Sequence, residues 1–289
     1  MSRFSDLYWN TSDGMRLYAR DYRPSEASDA LPVIAIHGLT RNSADFTNIA
    51  EILQDQGRRV IAVDVRGRGK SGRAADPMTY VPPVYAADIA ALLDAQKIER
   101  AIFMGTSMGG LITMALTAIR PDAIAASILN DVGPEVAVEG LTRIAAYTGQ
   151  PVVIENWDDA VAYTKRINAV AFPHYGDDDW QTFAKRIFVE NAKGVPSLAY
   201  DPNISAPIKA AGAGALVPDL WPLYRTLATK PTLIVRGETS DLLSPAILER
   251  MLSEGDNATT VEVSGIGHAP MLDEPQAKAA ITAFLSKQP

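Results

Sequence analysis

The 289-residue chain contains no cysteine. That absence removes disulfides, thiolate metal sites and cysteine nucleophiles together, and it fits either a reducing compartment or a cysteine-free exported protein. Long apolar runs are missing too: no stretch approaches the roughly 18 apolar residues that span a bilayer. The opening MSRFSDLYWN lacks the apolar core of a signal peptide, so a cytoplasmic location is expected. Basic charge is in deficit, with 27 Lys and Arg against 34 Asp and Glu and a net charge of −7. Without a basic stripe to neutralise phosphates, neither nucleic acid nor an anionic membrane is expected as a partner. What is present is ordinary for a globular chain, 47% hydrophobic and 21% charged, and it is long enough for one large α/β domain with room for an insertion.

The apolar runs are short and alternate with amphipathic stretches. Leu7 to Trp9 and Met15 to Tyr22 flank Asp13-Gly14, a turn signal that predicts an N-terminal hairpin. Buried strands are predicted at Pro32 to His37, Val60 to Val65, the apolar run from Ala101 that stops at Gly105, and Ala123 to Leu129, with helices over Ser43 to Gln56, Val84 to Gln96 and Leu111 to Ile119. This alternation predicts a mostly parallel sheet covered on both faces. From about 133 to 228 the rhythm breaks. Leu141 to Tyr147, Trp157 to Ala169 and Trp180 to Glu190 read as helices, and the Ala/Gly-rich Ile204 to Val217 reads as loop. Strand character returns at Thr232 to Arg236 and Thr259 to Val263, with helices over Pro245 to Leu252 and Glu274 to Lys287. The expectation is a core of residues 1–132 and 229–289, interrupted by a mainly helical insertion at 133–228.

The chemistry is expected at Ser107. It lies in Gly105-Thr106-Ser107-Met108-Gly109, between an apolar strand and a helix, which is the context that gives G-x-S-x-G its meaning. A sharp strand-to-helix turn crowds the backbone where a Cβ would clash, and the helix that follows aims its free N–H groups at developing negative charge. A serine hydroxyl needs a base, and the chain has only three histidines. His268 follows the last strand in Gly265-Ile266-Gly267-His268, where the glycines let the backbone place the ring, whereas His37 sits at a strand end and is expected to brace its loop by hydrogen bonding. For the acid that orients the base, Asp241 follows the strand at Thr232 and gives the chain order serine, acid, histidine; Asp131 and Glu238 are rivals. The backbone N–H groups of Leu39 and Met108 are the expected oxyanion donors.

Two other motifs are read as decoys. Gly67 to Gly72 matches G-x-G-x-x-G, but the following Arg73 to Pro83 carries three prolines and no helical period, so no helix N-terminus is available for a pyrophosphate. Asp177 to Asp179 lacks the spacing of a calcium loop and is read as a solvated helix start. No cofactor and no metal are expected.

The His37-Gly38 loop, Asp64-x-Arg66-Gly67-x-Gly69-x-Ser71, Gly105-x-Ser107-Met108-Gly109-Gly110, the Asp241 loop and Gly267-His268 together resemble the α/β-hydrolase fold family. The resemblance implies an eight-stranded sheet, a helical cap over 133–228, and a triad of Ser107, Asp241 and His268. Haloalkane dehalogenases and epoxide hydrolases carry an aspartate at the position of Ser107. The carbon-carbon bond hydrolases share Ser-Met-Gly-Gly, but usually have a more glycine-rich oxyanion loop than His37 to Asn42 and an asparagine at Thr106. The resemblance therefore leans to the serine carboxylesterase and lactonase branch, acting on a small, hydrophobic ester or lactone. A carbon-carbon hydrolase and a non-catalytic small-molecule-binding member are the alternatives. The cap is expected to supply the pocket, with Phe172, His174, Tyr175, Trp180 and Trp221 as candidate lining residues.

Overall fold

The computed structural model describes residues 3–211 and 219–289. The first half runs β1 (Ser5–Asn10), β2 (Arg16–Tyr22), β3 (Val33–Ile36), α1 (Thr47–Asp55), β4 (Val60–Asp64), α2 (Pro82–Gln96), β5 (Ala101–Thr106), α3 (Met108–Leu116) and β6 (Ile124–Asn130). An insertion follows, with α4 (Val138–Tyr147), α5 (Trp157–Asn168), α6 (Asp177–Ile187), β7 (Phe188–Glu190), β8 (Pro196–Leu198), α7 (Ala206–Ala211) and α8 (Trp221–Leu227). The chain then returns through β9 (Thr232–Gly237), α9 (Pro245–Glu254), β10 (Ala258–Val263) and α10 (Pro275–Leu285).

Eight strands form one sheet in the order β1-β2-β4-β3-β5-β6-β9-β10. The β1–β2 hairpin is antiparallel and β2 pairs antiparallel with β4, while every later pair is parallel. The central strands are apolar throughout because both faces are covered. In β3, Ile34 and Ile36 face one core with α2 and α3, while Val33 and Ala35 face the other with α1 and α10. In β5, Phe103 joins the first core and Ile102 and Met104 the second. Full burial of such side chains contributes about 1.5–3 kcal/mol each before entropy is charged against it.

The local signals act where the sequence places them. Asn156 caps α5 by accepting from the Asp159 N–H, and Asp177, Asp178 and Asp179 occupy the first turn of α6, where negative charge is favoured. The β7–β8 hairpin departs from the expected mainly helical insertion: the helix expected over Trp180 to Glu190 ends at Ile187, and Phe188 to Glu190 form β7. Its strands are three residues long, too short for a period-2 pattern to register. The expected loop at Ile204 to Val217 holds a 3-10 turn over Pro202–Ser205 and then α7; its remainder from 212 lies outside the described residues. Helix α8 packs with the sheet's core, where Trp221, Tyr224 and Leu227 join Ile112 and Leu116 of α3. Among the described residues, no helix is long and apolar enough to cross a membrane.

Candidate active site

Ser107 occupies the one-residue turn between β5 and α3 with φ 51° and ψ −115°, a left-handed conformation that a side chain adopts only when its surroundings impose it. The surroundings here are backbone. A Cβ at Gly105 would overlap the carbonyl of Gly109, and a Cβ at Gly109 would overlap the carbonyl of Ile36 in β3. The turn is held by the Ser107 N–H, which donates to the Asn130 carbonyl at 2.9 Å, and by the Gly110 N–H, which donates to the Ser107 carbonyl at 2.9 Å.

The Ser107 hydroxyl lies 3.0 Å from Nε2 of His268, and Nδ1 of the same ring lies 2.8 Å from Oδ2 of Asp131. A carboxylate can only accept, so Nδ1 carries the proton and Nε2 is left as the acceptor facing the hydroxyl. Asp131 is the first residue beyond β6 and is fully buried. Its Oδ1 accepts from the Gly237 N–H at 2.9 Å and its Oδ2 from the Ser240 hydroxyl at 2.6 Å.

The acid expected at Asp241 is therefore not the one on the histidine. Asp241 sits in the β9–α9 loop, and both its oxygens are taken by Arg143 of α4, from Nε at 2.6 Å and Nη2 at 2.8 Å. Burial would raise its pKa, but the guanidinium fork outweighs that and holds the carboxyl below its ordinary range. The physical reason is sheet order. Strand β6 is hydrogen-bonded to β5, whose end carries the serine, and β9 lies one strand further out, so the first residue after β6 reaches the histidine. The β9 loop contributes Ser240 instead. The other rival, Glu238, caps the 264–265 turn through the Ser264 hydroxyl and the Gly265 N–H.

The loop after β3 runs beside the nucleophile: a Cβ on Gly38 would come within 3.7 Å of Ser107 Cβ. His37 braces this loop, with Nδ1 donating to the Gly38 carbonyl at 2.7 Å and Nε2 accepting from the Val65 N–H at 3.0 Å. Complete burial pushes its pKa down to about 4, which keeps the ring neutral and makes it a strut. Met108 is the first residue of α3, so its N–H has no carbonyl within the helix to bond.

A cleft opens over Ser107 and His268, walled by Ile144 and Tyr147 of α4, Ile167 of α5, and Phe183 and Ile187 of α6. Of the five aromatic residues and histidines expected to line it, Phe172 does so. Trp180 stacks on Phe183 and Tyr175 meets both rings edge to face, Trp221 is in the core under the Arg250 guanidinium, and His174 lies against Gly265. Phe172, His174 and Tyr175 lie in the connection between α5 and α6, where no helical period assigns a face, and composition does not say which of them turns inward. Arg41 also lines the cleft; it pairs with Asp45 through Nε and Nη2 at 2.7 Å each and lies 4.2 Å over the Phe183 ring.

The glycine-rich stretch after β4 is occupied by protein contacts. The Gly67 N–H donates to the Gly72 carbonyl, the Gly69 N–H to the Ala199 carbonyl and the Lys70 N–H to the buried Asp64 carboxylate. The amides that a phosphate would need are engaged.

A family model for the alpha/beta hydrolase fold matches residues 32–275, a span that contains Ser107, Asp131 and His268. The chain is an α/β-hydrolase. Over 99% of its length this hydrolase superposes on an alpha/beta hydrolase from Novosphingobium aromaticivorans, also 99% covered, with a TM-score of 0.92 and 44% identity. It is 34% identical to the 3-hydroxybutyrate-oligomer hydrolase of Cupriavidus necator, over 88% of each chain. It is 32% identical to the 2-(acetamidomethylene)succinate hydrolase of Mesorhizobium japonicum, over 82% of this chain and 81% of that one.

Proposed function

We propose that this hydrolase cleaves short carboxylic esters by acyl transfer, with Ser107 as nucleophile, His268 as base and Asp131 as the orienting acid. The observation that carries the reading is the continuous hydrogen-bond path from Ser107 Oγ through His268 to a buried carboxylate. As Ser107 attacks the ester carbonyl, its proton passes to His268 Nε2, and Asp131 stabilises the imidazolium that results. The N–H groups of Leu39 and Met108 receive the oxyanion. Collapse breaks the carbon–oxygen bond to the leaving alcohol, which takes the proton from His268. Water, deprotonated by the same ring, then adds to the acyl-enzyme and releases the acid. The insertion at 133–228 acts as the lid over this chemistry, apart from α8, which belongs with the sheet.

For substrate class, the walls are apolar, and the charge of Arg41 beside them is met by Asp45 in the same cleft. A small acyl chain fits these walls, and the case for a free carboxylate on it comes from the relatives. The two named relatives act on 3-hydroxybutyrate oligomers and on a succinate derivative, and both names describe carboxylate-bearing molecules. The test compares the 3-hydroxybutyrate dimer and trimer with p-nitrophenyl acetate through octanoate, on wild type and Ser107→Ala. A serine-directed phosphonate read by intact mass serves as the labelling control. Turnover and labelling that both vanish in Ser107→Ala support the reading, and a higher kcat/KM on the acidic oligomers supports the carboxylate. Stoichiometric binding without turnover or labelling would overturn it in favour of a non-catalytic member.

A further inference from the structure

Two arginines in the loop after β4 are almost fully buried, and they are treated differently by their surroundings. Arg66 is paired: Nε and Nη2 hold the Asp88 carboxylate at 2.6 and 2.5 Å, and Nη1 reaches Asp13 at 3.0 Å. Arg68 is 1% exposed and, among the described residues, forms no ion pair. A buried guanidinium without a carboxylate is expensive, and its contacts are with the residues expected to hold the oxyanion. Nε donates to the Leu39 carbonyl at 2.9 Å, and Nη2 meets the Met108 sulfur at 3.6 Å. Nη1 is held by the Arg66 carbonyl at 2.8 Å and the Tyr85 hydroxyl at 2.9 Å. The Tyr85 and Tyr80 rings lie 5.1 and 5.6 Å from its Cζ, a placement that stabilises a cation by its quadrupole without cancelling the charge.

We propose that Arg68 is a positioning residue for the oxyanion site, fastening Leu39 through its carbonyl and Met108 through its thioether so that their two N–H groups converge, and lending uncompensated positive charge behind them. The inference rests on the acyl-transfer reading above. Its physical content is preorganisation: donors fixed before the reaction need no rearrangement when negative charge develops. The insertion takes part, because the Gly69 N–H donates to Ala199 and the Asp201 N–H to the Gly67 carbonyl, seating the Arg68 loop from above.

A residue that only held the fold together would change stability and leave the transition state alone. Arg68→Met, Arg68→Lys and Tyr85→Phe are therefore compared for kcat, KM, affinity for an alkyl boronic acid that forms a tetrahedral adduct on the serine, and Tm. Displacing donors by an ångström costs up to about a hundredfold in rate, so Arg68→Met is expected to lower kcat at least about tenfold with KM unchanged. Boronate affinity should fall by the same factor. Arg68→Lys should recover part of both, and Tyr85→Phe, which frees one Nη1 contact and keeps the cation, should lose kcat about two- to fivefold at unchanged KM. Variants that lose only Tm, or whose KM carries the whole change, would overturn the assignment; should Arg68→Met not fold, Tyr85→Phe alone decides by the same criteria. Activity surviving in Ser107→Ala would sink the acyl-transfer reading instead, a result separate from any of these.

Discussion

Asp131 and Asp241 are the same residue type, each follows an apolar strand, and each lies between Ser107 and His268 in the chain, yet they serve different purposes. Asp131 is fully buried and accepts from a backbone N–H, a serine hydroxyl and His268. Asp241 has a side chain 30% exposed and is clasped by Arg143, which ties α4 to the β9–α9 loop. A carboxylate that must fix one tautomer of a histidine has to be immobile and shielded, so that its charge is neither solvated nor shared with a cation. A carboxylate at a loop surface instead pairs with the nearest guanidinium.

The sharpest way to break that comparison is to neutralise each acid in turn. Asp131→Asn is expected to lower kcat by about 10⁴-fold, because an amide permits the wrong imidazole tautomer, while Asp241→Asn stays within about threefold. Steady-state kinetics on a p-nitrophenyl ester decides it, and the reverse ranking would return the acid's role to Asp241.

Burial of His37 extends the contrast into pH. His37 is buried with a pKa of about 4, below the ordinary 6.5. Between these values the unfolded chain takes up a proton that the folded chain refuses, so stability is complete above pH 6.5 and declines as pH falls toward 4. A gap of roughly two and a half pH units corresponds to on the order of 3 kcal/mol across that window. Urea midpoints of wild type and His37→Gln between pH 7.5 and 4.5 should diverge in this direction, the variant losing less on acidification. Parallel curves would mean that His37 is not the group refusing the proton.

Ser240 sharpens the comparison further, since it is the residue beside Asp241 that reaches Asp131. Ser240→Ala removes one of the acid's donors and should reduce kcat by about tenfold, the worth of roughly 1.4 kcal/mol, with KM little changed. The smallest effect belongs to the Arg143–Asp241 pair. Partly exposed and screened, it should contribute about 0.5–1 kcal/mol, read as the coupling energy of a double-mutant cycle of Arg143→Met and Asp241→Asn in urea. A coupling near zero would leave the tie between α4 and the sheet to the apolar contacts alone.

Much of the site is visible in the linear chain because its constraints are local. Gly105 is required by a clash with Gly109 inside a single turn, whereas Gly109 is required by the Ile36 carbonyl of the neighbouring β3, and the two are legible together because the pair flanks one serine. The cleft is less visible. Phe172 reaches it while Trp180 and Tyr175 pack edge to face against each other, and Phe172 and Tyr175 lie in the connection between α5 and α6, where no helical period marks a face. Arg68 carried no signal at all, because a buried unpaired cation looks in sequence like any exposed arginine of a glycine-rich loop.

The sequence by itself determined the α/β architecture, the turn that presents Ser107 and the neighbouring histidine loop, since strand runs, the Gly105 clash and helix periods act over a few residues. Only the tertiary structure decided which aspartate hydrogen-bonds His268, which aromatic faces the cleft and what Arg68 touches. Those choices depend on β6 lying beside β5 and on the insertion folding back over the strand ends, contacts between residues far apart in the chain that no local pattern encodes.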